Sequence, residues 1–178
     1  MRRLKDSRPV KFFQVDATKS RVLAIAKSNV HDLNFSMPLI GGSLTCHEDN
    51  NVLRWAGEIE VNTSKADAGD FLRNRKLHKE LGSREFPKAR FTLMALELPK
   101  DQASAKVAGT IQWRNTSREV NATVRTSITD TNLQAEAEFE IRATDFDITP
   151  PKILMFKVDD TVSVSLTLHA QVTDKTEK

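Results

Sequence analysis

Cysteine is nearly missing from this chain: Cys46 is the only one in 178 residues. No intrachain disulfide can form, which suits a reducing compartment, although a periplasmic protein can also do without disulfides. Long apolar runs are missing too, and none approaches the ~20 residues that a membrane-spanning helix needs. The N-terminus MRRLKDSRPVKFF has the cationic start of a signal peptide but no apolar stretch and no small-residue cleavage site behind it. With Met1 as the native start a cytoplasmic location is expected; a mature form beginning here would be periplasmic. Charge of one sign is in little surplus, because 27 Lys and Arg face 24 Asp and Glu for a net +3. A nucleic-acid surface usually shows a concentrated basic stripe. Here the cations are spread, except between Arg73 and Lys79, and no nucleic-acid partner is expected. His31, His47, His78 and His169 show no metal-ligand spacing. Cys46 and His47, adjacent in an extended segment, point to opposite faces and cannot chelate one ion together. There is no nucleophile elbow, phosphate loop or Ser/His/Asp order. Asp16, Asp145 and Asp159 fall at strand ends, where carboxylates more often cap turns than act as acid or base. The chain is therefore read as a non-enzyme with no catalytic residue, no metal and no cofactor.

What the sequence does have is alternation with period two. Val107, Gly109, Ile111 and Trp113 face one way and Ala108, Thr110, Gln112 and Arg114 the other. The sets Val120/Ala122/Val124/Thr126/Ile128, Leu133/Ala135/Ala137/Phe139/Ile141 and Val162/Val164/Leu166/Leu168/Ala170 repeat the pattern against polar partners. In the N-terminal half Leu53, Trp55, Gly57, Ile59 and Val61 do the same, and Leu33, Phe35 and Met37 form another such set. Residues 11–16 and 21–27 read as a hairpin around Asp16-Ala17-Thr18-Lys19, and Gly41-Gly42 as a turn or bulge leading into residues 43–47. The linkers at 48–51, 115–117 and 129–132 are short, polar and rich in turn formers. Strict alternation argues for antiparallel strands with one wet face. Eight or more such strands must hide their apolar faces together, in a closed barrel or a two-sheet sandwich. Periodicity leaves that choice open.

Residues 64–82, SKADAGDFLRNRKLHKELG, break the pattern. They carry helix formers, an acidic start, a basic end and a terminal Gly, and predict one or two short helices inserted between strands. The Ser-Arg-Glu-Phe-Pro that follows leads into a strand over residues 89–98.

Several local features, in order, resemble the YceI-like family of lipocalin-fold proteins. Phe13-Gln14-Val15-Asp16 followed by Ser20 and Val22 is similar to its first hairpin. Trp55-Ala56-Gly57-Glu58-Ile59 is similar to its Gly-x-Ile strand. Phe86-Pro87-Lys88-Ala89-Arg90-Phe91, the most specific match, resembles its aromatic-Pro turn and the strand behind it. Val107-Ala108-Gly109-Thr110-Ile111 with Ser117-Arg118-Glu119-Val120 resembles its Gly-containing hairpin. Arg142-Ala143-Thr144-Asp145-Phe146-Asp147-Ile148 resembles its Arg-x-x-Asp-Phe-x-Ile segment, and Val158-Asp159-Asp160-Thr161-Val162 its lead into the last strand. The chain departs from the family at Arg114-Asn115, where a His-Gly pair is common, in its Lys/Arg-rich insert, in lacking Tyr and in showing no leader, since most members are exported. The resemblance implies an all-β fold: an eight-stranded, or slightly larger, antiparallel lipocalin-like barrel with a short helical insert. It implies one domain over residues 1–178, with a core of about 12–172. It further implies a cavity for long apolar chains such as isoprenoids, quinone-like molecules or fatty ligands, and pairing into homodimers.

On that basis the expected apolar cavity residues are Phe13, Phe35, Trp55, Phe71, Leu77, Phe91, Trp113, Phe139 and Phe146, with Phe156 as a further inward aromatic. The residues alone fit a ligand-lined cavity or an ordinary filled core. The small inward residues Gly109, Ala122, Ala135 and Ala137 favour open volume. Phe71, Leu72, Leu77 and Leu81 would close the barrel mouth as a lid or simply cap the core. Arg73, Arg75, Lys76 and Lys79 would hold a phosphate-bearing head group, touch an anionic membrane surface or form a solvated helix face. The leading expectation is carriage of a long-chain lipid. The alternatives are a lipid-modifying enzyme on a lipocalin-like barrel, which needs a buried polar residue in the lumen, and an interaction protein using the basic helical face.

Overall fold

The computed structural model describes residues 10–153 and 155–174. The basic N-terminal run and the two ends of the expected domain lie outside the described residues. Inside them, the alternating segments form ten strands: β1 (Lys11–Val15), β2 (Arg21–Ser28), β3 (Leu33–Asp49), β4 (Val52–Asn62), β5 (Lys88–Pro99), β6 (Ser104–Trp113), β7 (Thr116–Ile128), β8 (Asn132–Arg142), β9 (Lys152–Ile153) and β10 (Phe156–Thr173). Every pairing is antiparallel. The order β2-β3-β4-β5-β6-β7-β8 closes because β10 pairs with β8 on one side and β2 on the other, giving an eight-stave barrel. Closure leaves no open edge among the eight staves, and it sends one face of each strand to a common interior. The interior face is the apolar set read from the alternation, including Val107, Ala122, Leu133, Ala137, Val164 and Leu168.

One local expectation changes. Residues 11–16 and 21–27 are not a hairpin. β1 and β2 do not pair with each other; both run antiparallel to β3 and β10 and together make one interrupted stave. Between Val15, opposite Ala170, and Arg21, opposite Thr167, five residues stand against two. The excess is gathered locally. Asp16 accepts from the Thr18 N–H at 3.0 Å and from the Thr18 hydroxyl at 2.6 Å. Buried Ser20 donates to the Asp16 carbonyl at 2.8 Å and accepts the His169 N–H at 2.9 Å. A turn signature thus produced a bulge, because β10 supplied the partners that a hairpin would have taken from within. Gly41-Gly42, read as a turn or a bulge, adjoins a bulge: β3 runs unbroken, with the shift falling between Leu39 and Gly41. The insert contains one α-helix, α1 (Phe71–Leu81), preceded by a single 3-10 turn at Thr63–Lys65.

The helix starts and stops where its chemistry allows. Asp70 caps it by accepting the Arg73 N–H at 2.9 Å, and Gly82 ends it in the left-handed region at φ 62°. Leu77 and Leu81, four apart, are its buried stripe. The connections at this end of the barrel are β2–β3, β4–α1–β5, β6–β7 and residues 143–153. The opposite end is closed by turns and a packed core in which Phe13 tilts onto Trp55 at 5.2 Å, with buried Cys46 in the same cluster.

Candidate functional site

The barrel interior is not solid. An inner cavity of about 170 Å³ lies among Trp55, Phe91, Val107, Ala122, Ala135, Ala137 and Phe139. Its wall is nearly all hydrocarbon. Glu58 and Arg90 border it, but their side chains pair with each other outside, at 3.9 Å. The three alanines leave room here, as their size suggests. Gly109 does not: a methyl group at its α-carbon would sit 2.3 Å from the Phe91 ring. Its missing side chain is already filled by that ring, which stacks on Phe139 at 6.4 Å.

An outer cavity of about 370 Å³ opens towards α1 and residues 143–151 and 156–158. Phe35, Leu77, Leu81, Phe146, Ile148 and Phe156 line it, with Pro150 and Pro151. Met37, Trp113, Ile141 and Val164 border both cavities, so the two are lobes on either side of one partition. The indole N–H groups of Trp55 and Trp113 are buried and have no hydrogen-bond partner among the described residues. Buried Trp usually finds an acceptor.

The sequence-predicted residues divide accordingly. Trp55, Phe91 and Phe139 line the inner lobe, Phe35, Leu77 and Phe146 the outer lobe, and Trp113 both. Two expectations fail. Phe13 is buried but borders neither lobe, because it fills the closed end against Trp55. Phe71 is 77% exposed, because the Leu77/Leu81 stripe fixes the helix rotation and turns the first residue to solvent. Leu72 is turned outwards as well. Of the proposed head-group cations, Arg73 and Lys76 reach the outer lobe, while Arg75 and Lys79 lie on the far side of the helix. Asp32, Glu80 and Asp159 share the rim with those cations, so it carries both signs. Arg73 is itself paired with Asp70 at 3.2 Å and Asp32 with Lys27 at 2.8 Å. The Lys27 ammonium beside Asp32 holds that carboxyl below its ordinary range.

Sequence reasoning missed what holds the outer lobe together. At the β6–β7 turn both Arg114 and Asn115 have positive φ, 51° and 58°, the geometry of a tight primed hairpin. From that tip the Arg114 guanidinium donates to the carbonyls of Phe146 at 2.8 Å, Leu81 at 2.7 Å and Asp147 at 3.3 Å. It also lies 5.0 Å over the Phe86 ring. One side chain therefore joins the end of α1, the aromatic-Pro turn and the 3-10 turn Ala143–Phe146. The position of Gly82 beneath it suits glycine because its φ of 62° strains any side chain, and a methyl group there would also press on the guanidinium at 2.5 Å. The position was visible only as a departure from a His-Gly pair. A second tie is Asp160, which accepts from the Thr144 N–H at 2.8 Å, the Thr144 hydroxyl at 2.7 Å and Arg142 at 3.1 Å. The Thr144 hydroxyl and N–H, helped by Arg142, hold its carboxyl below the usual range. Asp16 caps its turn as expected, whereas Asp159 borders the outer lobe.

A closed eight-stave antiparallel barrel with one short helix at its end is a fold of lipocalin-like kind. Within that class the chain belongs to the YceI-like domain family, whose profile matches residues 13–170. Among solved structures it is similar to Burkholderia cenocepacia BcnA, with a TM-score of 0.71, 17% identity and coverage of 87% of this chain and 98% of that one. It is also similar to a polyisoprenoid binding domain from Saccharophagus degradans implicated in plant cell wall breakdown, with a TM-score of 0.64, 14% identity and coverage of 90% and 98%. Among curated proteins none matches its sequence.

Proposed function

We propose that this protein binds and carries a long-chain apolar lipid, an isoprenoid or quinone-like molecule, in its barrel without chemically changing it. The observation that carries the reading is the apolar lining that two lobes of about 170 and 370 Å³ share at Met37, Trp113, Ile141 and Val164. Together they fall within the range of ligand sites, ~300–1,000 Å³. An extended chain passing Trp113 and Met37 would occupy both. Burial of its methylenes supplies roughly 25 cal/mol per Å² of apolar surface, less the loss of chain freedom. The two unpartnered indoles favour a chain that carries an oxygen: a quinone carbonyl would offer an acceptor where hydrocarbon offers none. The named ligand of the Saccharophagus neighbour supports the same class. Among the described residues no carboxylate or histidine side chain points into the inner lobe to serve as acid or base, which favours carriage over catalysis.

Organic extraction of the purified protein followed by mass spectrometry of the extract tests this. The expected result is one apolar lipid class at near one molecule per chain. Extracts free of lipid from protein that also refuses added long-chain quinone would overturn it.

A further inference from the structure

Among the described residues the four most exposed large apolar side chains are Met155 at 86%, Phe71 at 77%, Leu72 at 74% and Val30 at 64%. Scattered exposed apolar residues are ordinary, but each of these four stands within two residues of one that lines the outer lobe. Phe71 and Leu72 form the first turn of α1, directly before the rim residue Arg73. Val30 and Met155 directly precede His31 and Phe156, rim residues whose rings lie 6.0 Å apart. The Asn29 side-chain amide bonds the Met155 carbonyl, which fastens these two loops to each other. The solvent side of α1 adds Arg75, Lys76 and Lys79, all exposed.

We infer that this end of the barrel docks onto an anionic lipid bilayer, with Phe71, Leu72, Val30 and Met155 entering the interface and the α1 cations meeting the head groups. Apolar side chains beside Lys and Arg on one helix face are the composition of a segment that lies in a membrane interface. A nucleic acid would use the cations but would leave three exposed aliphatic side chains without a partner. The docked orientation sets the outer lobe against the acyl region, so a lipid could pass between bilayer and barrel without crossing water. This inference rests on the lipid-carrying reading for its purpose, though not for its geometry.

The test is flotation of the full chain with phosphatidylcholine vesicles, with and without phosphatidylserine, alongside a gel shift with duplex DNA. Lipid content of each protein is read separately by extraction. The wild type should float with the anionic vesicles and lose binding as salt rises, because screening shortens the reach of charge to about 8–10 Å at physiological ionic strength. R75A/K79A should weaken partitioning about twenty-five-fold, at about fivefold per cation. F71S/L72S should weaken it by at least about tenfold, since both side chains would no longer leave water. Both variants alter exposed positions and should keep the wild-type circular dichroism and cavity lipid. Wild-type flotation by both variants, no flotation by the wild type, or binding to DNA in preference to vesicles would overturn the docking. Absence of cavity lipid from a protein that still floats would count against carriage alone.

Discussion

Replacing Ala137 with Phe asks whether the inner lobe is where the ligand lies. Ala137 sits on β8 between Val124 and Leu166, borders the inner lobe and is 9% exposed. A cavity of about 150 Å³ in an unrelated protein admits a benzene ring, so the inner lobe at about 170 Å³ has space for the phenyl group. Left empty, that volume forgoes about 4 kcal/mol at roughly 24 cal/mol per Å³. The ring recovers part of this and loses about 1–3 kcal/mol to imperfect fit. The lipid-free variant should therefore stay within about 2 kcal/mol of the lipid-free wild type. Ligand linkage separates the two proteins. A lipid held at a hundred times its Kd stabilises the wild type by about 2.7 kcal/mol. For a chain of this size that is about 5–11 °C in Tm. Calorimetry before and after delipidation should show that shift in the wild type and none in A137F, which should purify without lipid. Wild-type lipid content and an unchanged shift in A137F would refute the assignment of the inner lobe.

Four further outcomes are expected. Arg114→Met strands three carbonyls at the outer lobe and should destabilise by about 2–5 kcal/mol, with hydrogen exchange rising at residues 78–82 and 143–148 before the barrel strands. Gly109→Ala should lose about 1–3 kcal/mol to its clash with Phe91, and chemical denaturation should show Phe91→Leu restoring part of it in the double variant. Cys46 is held at a pKa of about 11, chiefly by burial; its thiolate is scarcer by about a hundredfold than in an ordinary cysteine, so reaction with a disulfide reagent at pH 8 should be slow until denaturant is added. The lowered pKa of Asp160 means that its tie to Thr144 is complete above the unfolded carboxylate value of about 3.9 and is lost as pH falls through the lower folded value. Below pH 4, exchange should therefore rise first at residues 142–148, and Asp160→Asn should move that response.

The strands were legible because alternation reports directly on which side of a wall a residue faces, and closure puts every such face in one interior. Residues 107–113, 133–141 and 162–170 point as read. The errors fall where a third element decides. Asp16 to Ser20 carries hairpin chemistry, yet β10 takes its hydrogen bonds and turns it into a bulge. Gly109 suggests space, yet Phe91 from β5 occupies it. Phe71 has the composition of a lid residue, but helix rotation is set by Leu77 and Leu81, six and ten positions further on. Arg114 looked like an ordinary turn residue, because its three acceptors lie in α1 and the 143–147 segment, distant in sequence. The partition at Trp113 and Met37 was equally hidden: periodicity tells which side chains point inwards but not how far across the barrel they reach.

The most direct measurement is the electron density inside the barrel in a crystal of protein purified without detergent or organic solvent. Continuous elongated density through both lobes, passing Trp113 and ending with an oxygen within hydrogen-bond distance of an indole N–H, is the predicted result. Two dry lobes, or a lumen closed by repacked Phe91, Trp113 and Phe139 side chains, would contradict it.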